Sequence, residues 1–566
     1  MAAKVYKPAA EVNLGPDSDE FYISPNVKAP RVAGLLVKIF VWILEMPIIG
    51  SMVLYILKKD NLINKNVCLT KPDLSPPERV QEAVSCLPAS LESTLAGSPP
   101  SSPKRWTIRD FNRAYSSGEV TPVQVAKRFL AAVKECSGPG LNMAFFISYS
   151  PEDIIRQAEE STLRYQRGGT RWLGRARACA ADAAVVAQLR ACGAVLAGKT
   201  NMHELGAGTS GINPHHGSTR NPHNPGRVSG GSSSGSAAAV CAGLCPVALG
   251  VDGGGKQTVV LPRSVSISSM TCTCADRRRR GFAGSVRMPA ALCGVVGFKP
   301  TAGRLYSAIV DQSQPSYLRP ELNLPLLKSS LSIKNIKLAK YAKWFNDSSE
   351  DIRSCCDKSL QMLHAHYGWE TLDVTIPEIE EMRLAHYVTI GSECTASLAK
   401  YLDKLKRSEI GWDVRVALGV YGSFSSRAYL NSQRLRNRQM YFHKEIFKTA
   451  DVIVSPMTGV TAYKLQDDAL KSGELDYING AALVRYSIAG NFLGLPAITV
   501  MVGYDKAGLP IGLQFIGRPW SEATLLHIAF AMQAIFAFVL NRHLKNEACK
   551  KHYKKPEVFY DLLKKD

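Results

Sequence analysis

The residues best suited to chemistry lie in a Gly/Ser-rich stretch, residues 230–236, which reads GGSSSGS. A second glycine cluster occupies residues 252–255 (DGGG). Closely spaced serines supply hydroxyls for nucleophilic attack, and glycines let backbone N–H groups approach a reacting oxygen. The residues between the clusters are apolar and indicate a helix over 237–244 followed by a strand, which is not typical of a flexible Gly/Ser linker. The spacing therefore predicts two catalytic loops on either side of one helix.

The elements that must position these loops alternate between helix and strand along the chain. A single α/β domain is predicted, with a mixed sheet covered by helices. The periodicity and start signals predict helices over 107–115, 121–136 and 185–192, and strands over 194–197, 451–456 and 497–502.

The chain is strongly basic, with a formal net charge of +21 over 566 residues. The charge is densest at Arg277–Arg280 and in the lysine-rich tail, but neither run is interleaved with aromatic residues as in a nucleic-acid module. No nucleic-acid partner is therefore expected, whereas an anionic membrane surface fits the charge. The 14 cysteines show no regular spacing, and no signal peptide is visible. The sequence therefore predicts reduced thiols in a cytosol-facing protein, and it predicts no metal site.

An apolar segment, residues 28–61, follows an N-terminal extension over 1–27. Its apolar run is long enough to span a bilayer, but Lys38, Glu45 and Pro47 interrupt it. Because Pro47 ends or kinks a helix, two shorter apolar helices dipping into one leaflet are expected, with a membrane-spanning segment and plain packing helices as the alternatives. A polar linker region over 62–105 leads to the main domain, 106–540, and a basic tail occupies 541–566.

Two sets of motifs point to a known family. The first set is residues 230–244, 252–255 and 285–301, and the second is the apolar segment with residues 198–205, 341–347, 451–462 and 491–518. The first set resembles the signature of the amidase signature family, and the second resembles its plant-type fatty acid amide hydrolases. The resemblance implies a large mixed twisted sheet with helices on both faces and an N-terminal membrane-associating segment. It implies hydrolysis of fatty acid amides such as N-acylethanolamines, without a cofactor. A homodimer on the cytosolic side of the endoplasmic reticulum or plasma membrane is implied as well.

The family chemistry uses a neutral Lys as base, a bridging Ser after a cis peptide and a nucleophilic Ser. By motif position the resemblance makes Ser232 the bridging residue and Ser285 the nucleophile. It assigns oxyanion and substrate binding to the glycine loop, namely Gly253, Gly254, Gly255 and Gly284.

The sequence departs from the family pattern at three places. Lys256 stands where the nucleophile is expected, and the motif resumes at Ser285 after an insert, 256–284, with no α/β pattern of its own. The segment that should carry the catalytic Lys is missing between Arg167 and Gly168, and a third segment is missing after Arg304. Neither Lys199, which belongs to another motif, nor Lys256 replaces the base. Impaired catalysis is therefore expected.

The insert begins with Gly-Lys and ends with Phe-Ala-Gly, as a translated intron could. We therefore treat it as a retained intron. Amplifying the transcript across this junction tests the hypothesis, because finding only transcripts with the insert would refute it.

Three other functions are also compatible with the sequence. Gly231, Ser233 and Gly235 match the G-x-S-x-G nucleophile elbow of α/β-hydrolases, although the preceding residues look like a loop rather than a strand. An amide-forming subunit of a transamidation complex shares the same signature. A catalytically inactive, membrane-associated lipid-binding homologue or mis-spliced product would also carry these motifs without turnover.

Overall fold

The computed structural model of the protein describes residues 7–25, 31–60, 92–93, 106–166, 189–190, 193–252, 256–261, 284–302, 331–332, 335–402, 407–544 and 556–564. Its strands are β1 (Val32–Ala33), β2 (Glu92–Ser93), β3 (Phe146–Ser148), β4 (Lys199–Thr200), β5 (Arg220–Asn221), β6 (Asn224–Val228), β7 (Ala248–Asp252), β8 (Lys256–Leu261), β9 (Val296–Lys299), β10 (Leu331–Ser332), β11 (Lys337–Lys340), β12 (Glu370–Asp373), β13 (Val452–Pro456), β14 (Glu474–Leu475), β15 (Ala497–Tyr504) and β16 (Pro510–Gly517).

The α-helices of the described residues are α1 (Leu35–Glu45), α2 (Pro47–Asp60), α3 (Ile108–Ser116), α4 (Pro122–Ser137), α5 (Pro151–Gln166), α6 (Ser234–Cys241), α7 (Arg287–Leu292), α8 (Ala342–Phe345), α9 (Glu350–Tyr367), α10 (Ile379–Leu402), α11 (Trp412–Gly422), α12 (Ser426–Ile446), α13 (Ala469–Ser472), α14 (Tyr477–Val484), α15 (Ile488–Phe492) and α16 (Glu522–Leu544). The starts of α3 and α4 confirm the sequence prediction, because Thr107 and Thr121 each close a capping box over the first turn.

Eight strands form one mixed sheet in the order β12-β11-β13-β16-β15-β9-β8-β7. The strand β11 runs parallel to both β12 and β13, whereas the other neighbours pair antiparallel. The predicted strands over 451–456 and 497–502 are central members of this sheet. The mixed α/β architecture inferred from the sequence is therefore confirmed.

Helices cover both faces of the sheet, because its apolar side chains alternate between two cores. On β16, for example, Phe515 packs with α9 and α16 on one face, whereas Ile516 packs with α10 and α15 on the other. A third core surrounds α6, whose residues are all buried. The helix that follows the Ser232 loop is thus held in the interior of the protein.

The apolar N-terminal segment forms two helices, as Pro47 predicts. Proline disfavours helical backbone at the preceding residue, and Met46 is extended between α1 and α2. No single helix of the described residues is long and apolar enough to cross a bilayer, but α1 and α2 together pass that test of length and composition as a pair bent by 107°.

Two sequence predictions about secondary structure are wrong. Residues 194–197 form no strand, because the Leu196 N–H donates to the Gln157 side chain instead of a strand partner, and the strand comes later, at β4. The insert does contain regular structure, because its first six residues form β8 between β7 and β9. β-branched residues at 258–260 favour this extended conformation. The predicted helix over 185–192 lies largely outside the described residues.

Candidate active site

The two serines singled out by the sequence lie on loops that contact each other. Ser232 precedes α6 and Ser285 precedes α7, and the N–H of Ser233 donates to the carbonyl of Ser285 at 3.0 Å. Ser232 and Ser285 are both fully buried. The structure therefore brings together two segments that the insert separates in sequence.

The Ser232 hydroxyl is buried and makes no hydrogen bond with any residue that the structure describes. The backbone around it is firmly held, since its carbonyl accepts from the N–H groups of His203 and Ser234, each at 2.9 Å. The Gly231–Ser232 peptide is cis. A buried hydroxyl without a partner is costly in a folded protein.

The Ser285 hydroxyl donates to the backbone carbonyl of Val251 at 2.6 Å. Val251 lies on β7, the last strand of the described sheet. Two other serine hydroxyls also form hydrogen bonds with backbone groups of this strand. Ser233 Oγ accepts from the Val251 N–H at 3.0 Å, and Ser236 Oγ donates to the Leu249 carbonyl at 2.6 Å. A peptide carbonyl does not act as a general base, so this arrangement orients Ser285 without activating it.

Ser233, the candidate elbow nucleophile, has a structural role. Both backbone polar groups of Val251 bond its hydroxyl. The strand before it, β6, ends at Val228, so the sharp strand-to-helix turn of a nucleophile elbow is not formed.

The glycine loop is described only in part, because Gly253, Gly254 and Gly255 lie outside the described residues. Gly284 has a positive φ of 76°, and a Cβ there would lie 2.5 Å from that of Ser487. Its N–H donates to Asn491 Oδ1 at 2.9 Å, so an oxyanion would have to displace this amide.

A buried ionic network lies beside the loop that carries Ser285. Arg287 and Asp252 are completely buried, with Nε of Arg287 3.1 Å from Oδ2 of Asp252. Asn491 Nδ2 donates to the other oxygen of Asp252 at 2.8 Å, and Arg287 also donates to Asn491 and Gln514. Burial alone would raise the pKa of Asp252, but the charge and hydrogen bonds of Arg287 hold it below its usual value. The network therefore joins the end of β7, at Asp252, to the start of α7, at Arg287.

No lysine is found in the position of the general base within the described residues. Lys199 is exposed on β4, and the buried Lys299 donates to the carbonyl of Pro300 at 2.8 Å. The backbone of Lys256 pairs with Asp252 in β8. The described residues also contain no group of three or more His, Cys, Asp or Glu side chains arranged to hold a metal ion.

Asn491 and Gln514 are neighbours of the candidate site that sequence reasoning did not single out. Both are buried polar residues in apolar stretches, and Gln514 lies on a strand whose residues are all buried. Its Nε2 bonds Ser455 Oγ and the Tyr486 carbonyl at 3.1 and 2.7 Å. The amide side chain of Gln514 in an otherwise apolar, buried strand was the signal in the sequence, because a buried amide must find hydrogen-bond partners.

Known proteins resemble this chain along nearly its whole length. The Amidase family matches residues 169–262, 282–319 and 311–526. A fatty acid amide hydrolase of Arabidopsis thaliana is 38% identical, covering 99% of both chains, and one of Oryza sativa subsp. indica is 37% identical, covering 98% of both. A bacterial aryl acylamidase of the amidase signature family shares the fold, with a TM-score of 0.62 at 18% identity over 77% of this chain and 97% of the other.

The alignment with the Arabidopsis protein also bears on the missing segments. It extends over 646 positions, although this chain has 566 residues. The relative therefore contains stretches that this chain lacks.

Proposed function

This chain belongs to the amidase family of hydrolases, which act on amide C–N bonds, and from that premise we propose that it acts on fatty acid amides of the N-acylethanolamine type at a membrane surface. The observation that carries the proposal is the contact between the Ser232 and Ser285 loops, which joins the two halves of the interrupted motif. The near full-length similarity to plant fatty acid amide hydrolases supports the substrate class.

In the proposed reaction Ser285 Oγ attacks the amide carbonyl and gives its proton to hydroxide as the bond forms. The tetrahedral oxyanion collapses, the C–N bond breaks and the amine leaves with a proton taken from water, which gives an acyl-enzyme. Water then attacks the ester and releases the fatty acid. Ser232 has the position of the bridging hydroxyl, but the Lys that would draw the proton through it belongs to the missing segment. We therefore propose slow turnover by a protein that retains its nucleophile.

The experiment combines a fluorophosphonate probe with an assay for fatty acid released from an N-acylethanolamine. The wild-type protein is expected to be labelled at Ser285 and to release fatty acid slowly, and Ser285→Ala is expected to abolish both signals. Ser233→Ala is the matched control, since its hydroxyl only bonds β7 backbone. If Ser233→Ala lost labelling while Ser285→Ala kept it, the result would support Ser233 as the nucleophile of a G-x-S-x-G elbow. Lipid binding without labelling of any serine would support the inactive homologue.

Membrane attachment through α1 and α2 is the second part of the proposal. One side of α1 packs on α11, with Val37 and Val41 buried against Val416. The opposite side and α2 leave large apolar side chains in solvent, among them Ile48 at 85% and Met52 at 65% exposure. An exposed apolar patch of this kind is typical of a membrane or protein contact. The bend between the helices suits a pair lying in one leaflet.

The double substitution Ile48→Asp and Met52→Asp is expected to reduce sedimentation with lipid vesicles at least about tenfold, because it places two charges in the apolar contact. Leu163→Asp is the matched control, because Leu163 is also about half exposed but lies on α5. Equal sedimentation of the double variant and the control would refute attachment through this surface. The cytosol-facing membrane and the homodimer implied by the family resemblance stay predictions.

A further inference from the structure

A buried histidine lies directly beside the Ser232 loop. The N–H of His203 donates to the Ser232 carbonyl at 2.9 Å, and the carbonyl of Asn201 accepts from the Gly235 N–H at the same distance. The segment 201–203 is therefore joined to the loop at Ser232 and again at Gly235. Any displacement of His203 would act on the backbone that carries the Ser232 hydroxyl.

The ring of His203 is enclosed, with 4% of the residue exposed. Gly208 lies against it so closely that a Cβ there would be 2.1 Å from the nearest ring atom. Nδ1 is 3.5 Å from Ser210 Oγ, and Nε2 is 3.4 Å from Asp413 Oδ2. Asp413 Oδ2 is buried and has no hydrogen-bond partner within the described residues, and the imidazole of His203 is a polar group that faces it.

Asp413 connects this histidine to the apolar surface of the protein. It lies in the first turn of α11, where its Oδ1 accepts from the Val414 N–H at 2.9 Å. The same helix packs on α1: Arg415 Nε bonds Glu45 Oε1 at 2.9 Å, and a Cβ on Gly419 would lie 3.2 Å from Leu44. A continuous series of contacts thus runs from α1 through α11 to the imidazole and on to Ser232.

A second pair ties the same segment to the start of α11. Glu204 accepts from the N–H of Gly411 at 2.9 Å and lies 2.8 Å from His215 Nε2. Burial raises the pKa of Glu204, against the opposing effect of His215. The ring of His215 is exposed, whereas the ring of His203 is enclosed beside Ser232. The Glu204–His215 pair therefore serves as a comparison for the buried His203–Asp413 pair.

We propose that His203 and Asp413 are a positioning pair, which holds the Ser232 loop in place and couples it to the membrane-facing helix α1. Neither residue touches the reacting atoms. Because the pair lies between two packed elements, it restricts how the Ser232 backbone can move relative to α11. Contact of α1 with a lipid surface would then reduce local opening around Ser232. Only this last step rests on the proposed membrane attachment.

Hydrogen exchange of the full-length protein tests the pair without a membrane. Asp413→Asn keeps the acceptor for Val414 but removes the charge facing His203, so exchange at the His203 amide is expected to rise about tenfold. His215→Gln is the matched control and is expected to change it less than about twofold. The amide of Ile453 in β13 reports global opening. A rise below about twofold in Asp413→Asn, or an equal rise at Ile453, would overturn the positioning role.

The coupling is tested with vesicles of phosphatidylcholine and phosphatidylserine. Vesicles are expected to slow exchange at His203 in the wild type, and Asp413→Asn is expected to sediment equally while showing no such slowing. The same slowing in both proteins, or a bound wild type without any slowing, would overturn the coupling. A wild type that fails to sediment refutes the membrane attachment, while the vesicle-free comparison still decides the positioning role.

Discussion

Arg287→Met is expected to lower the free energy of unfolding by about 3–5 kcal/mol, because it leaves a buried carboxylate without its counter-ion. The Arg287–Asp252 pair is fully buried and is surrounded by Asn491, Gln514 and the Ser487 carbonyl. Removing the guanidinium therefore leaves several acceptors unpaired as well as one charge. Arg156→Met, which removes two exposed ion pairs on α5, is the matched control and is expected to leave the free energy of unfolding nearly unchanged.

The pH dependence of this loss follows from the lowered pKa of Asp252 in the folded protein. Stability from such a group is present above its unfolded pKa and is lost as the pH falls through its folded pKa. In the variant, burial without Arg287 favours the neutral carboxyl. The difference between wild type and variant is therefore expected to be smallest in acid and to grow as the pH rises, until the carboxyl of the variant is ionised as well. Denaturant unfolding at several pH values measures this difference in the free energy of unfolding. An equal loss of stability in Arg287→Met and Arg156→Met would show that the buried pair contributes no more than an exposed one.

Local sequence signals predicted the parts of the fold that depend on neighbouring residues. Thr107 and Thr121 start helices because their partners lie three residues along the chain. Pro47 separates α1 from α2 because the restriction it imposes is local to the chain.

The parts that depend on distant partners could not be predicted in the same way. Residues 194–197 look like a strand until Gln157 supplies the hydrogen bond. The sheet position of β8 depends on β7 and β9 being on either side of it. At the site, the family resemblance assigned roles to Ser232 and Ser285, but the contacts of Asn491 and Gln514 with Arg287 form only when helices and strands far apart in sequence meet.

Turnover by this chain is expected to depend on Ser285 and hardly on Ser232. General base catalysis contributes about 10²–10⁴-fold in rate, and a bridging hydroxyl transmits it only when a base lies behind it. The buried Ser232 hydroxyl bonds no described residue. Deprotonation of Ser285 is then left to hydroxide, so the rate is expected to rise about tenfold for each pH unit above neutrality.

Substitution of Ser232 is suited to this test because it removes no hydrogen bond that the structure describes. Loss of an unpaired buried hydroxyl is not expected to destabilise the protein. Ser234→Ala is the matched control, because its Oγ lies 3.1 Å from Thr219 Oγ1 and has no part in the proposed proton transfer. Thermal unfolding of both variants verifies that they remain folded.

The ratio of kcat/KM for the wild type to that for Ser232→Ala on one N-acylethanolamine shows whether Ser285 acts without a general base. We expect a ratio below about ten, while Ser285→Ala falls to the background rate. A ratio above about one hundred would contradict it, because such a loss would show that the proton of Ser285 passes through Ser232 to a working base.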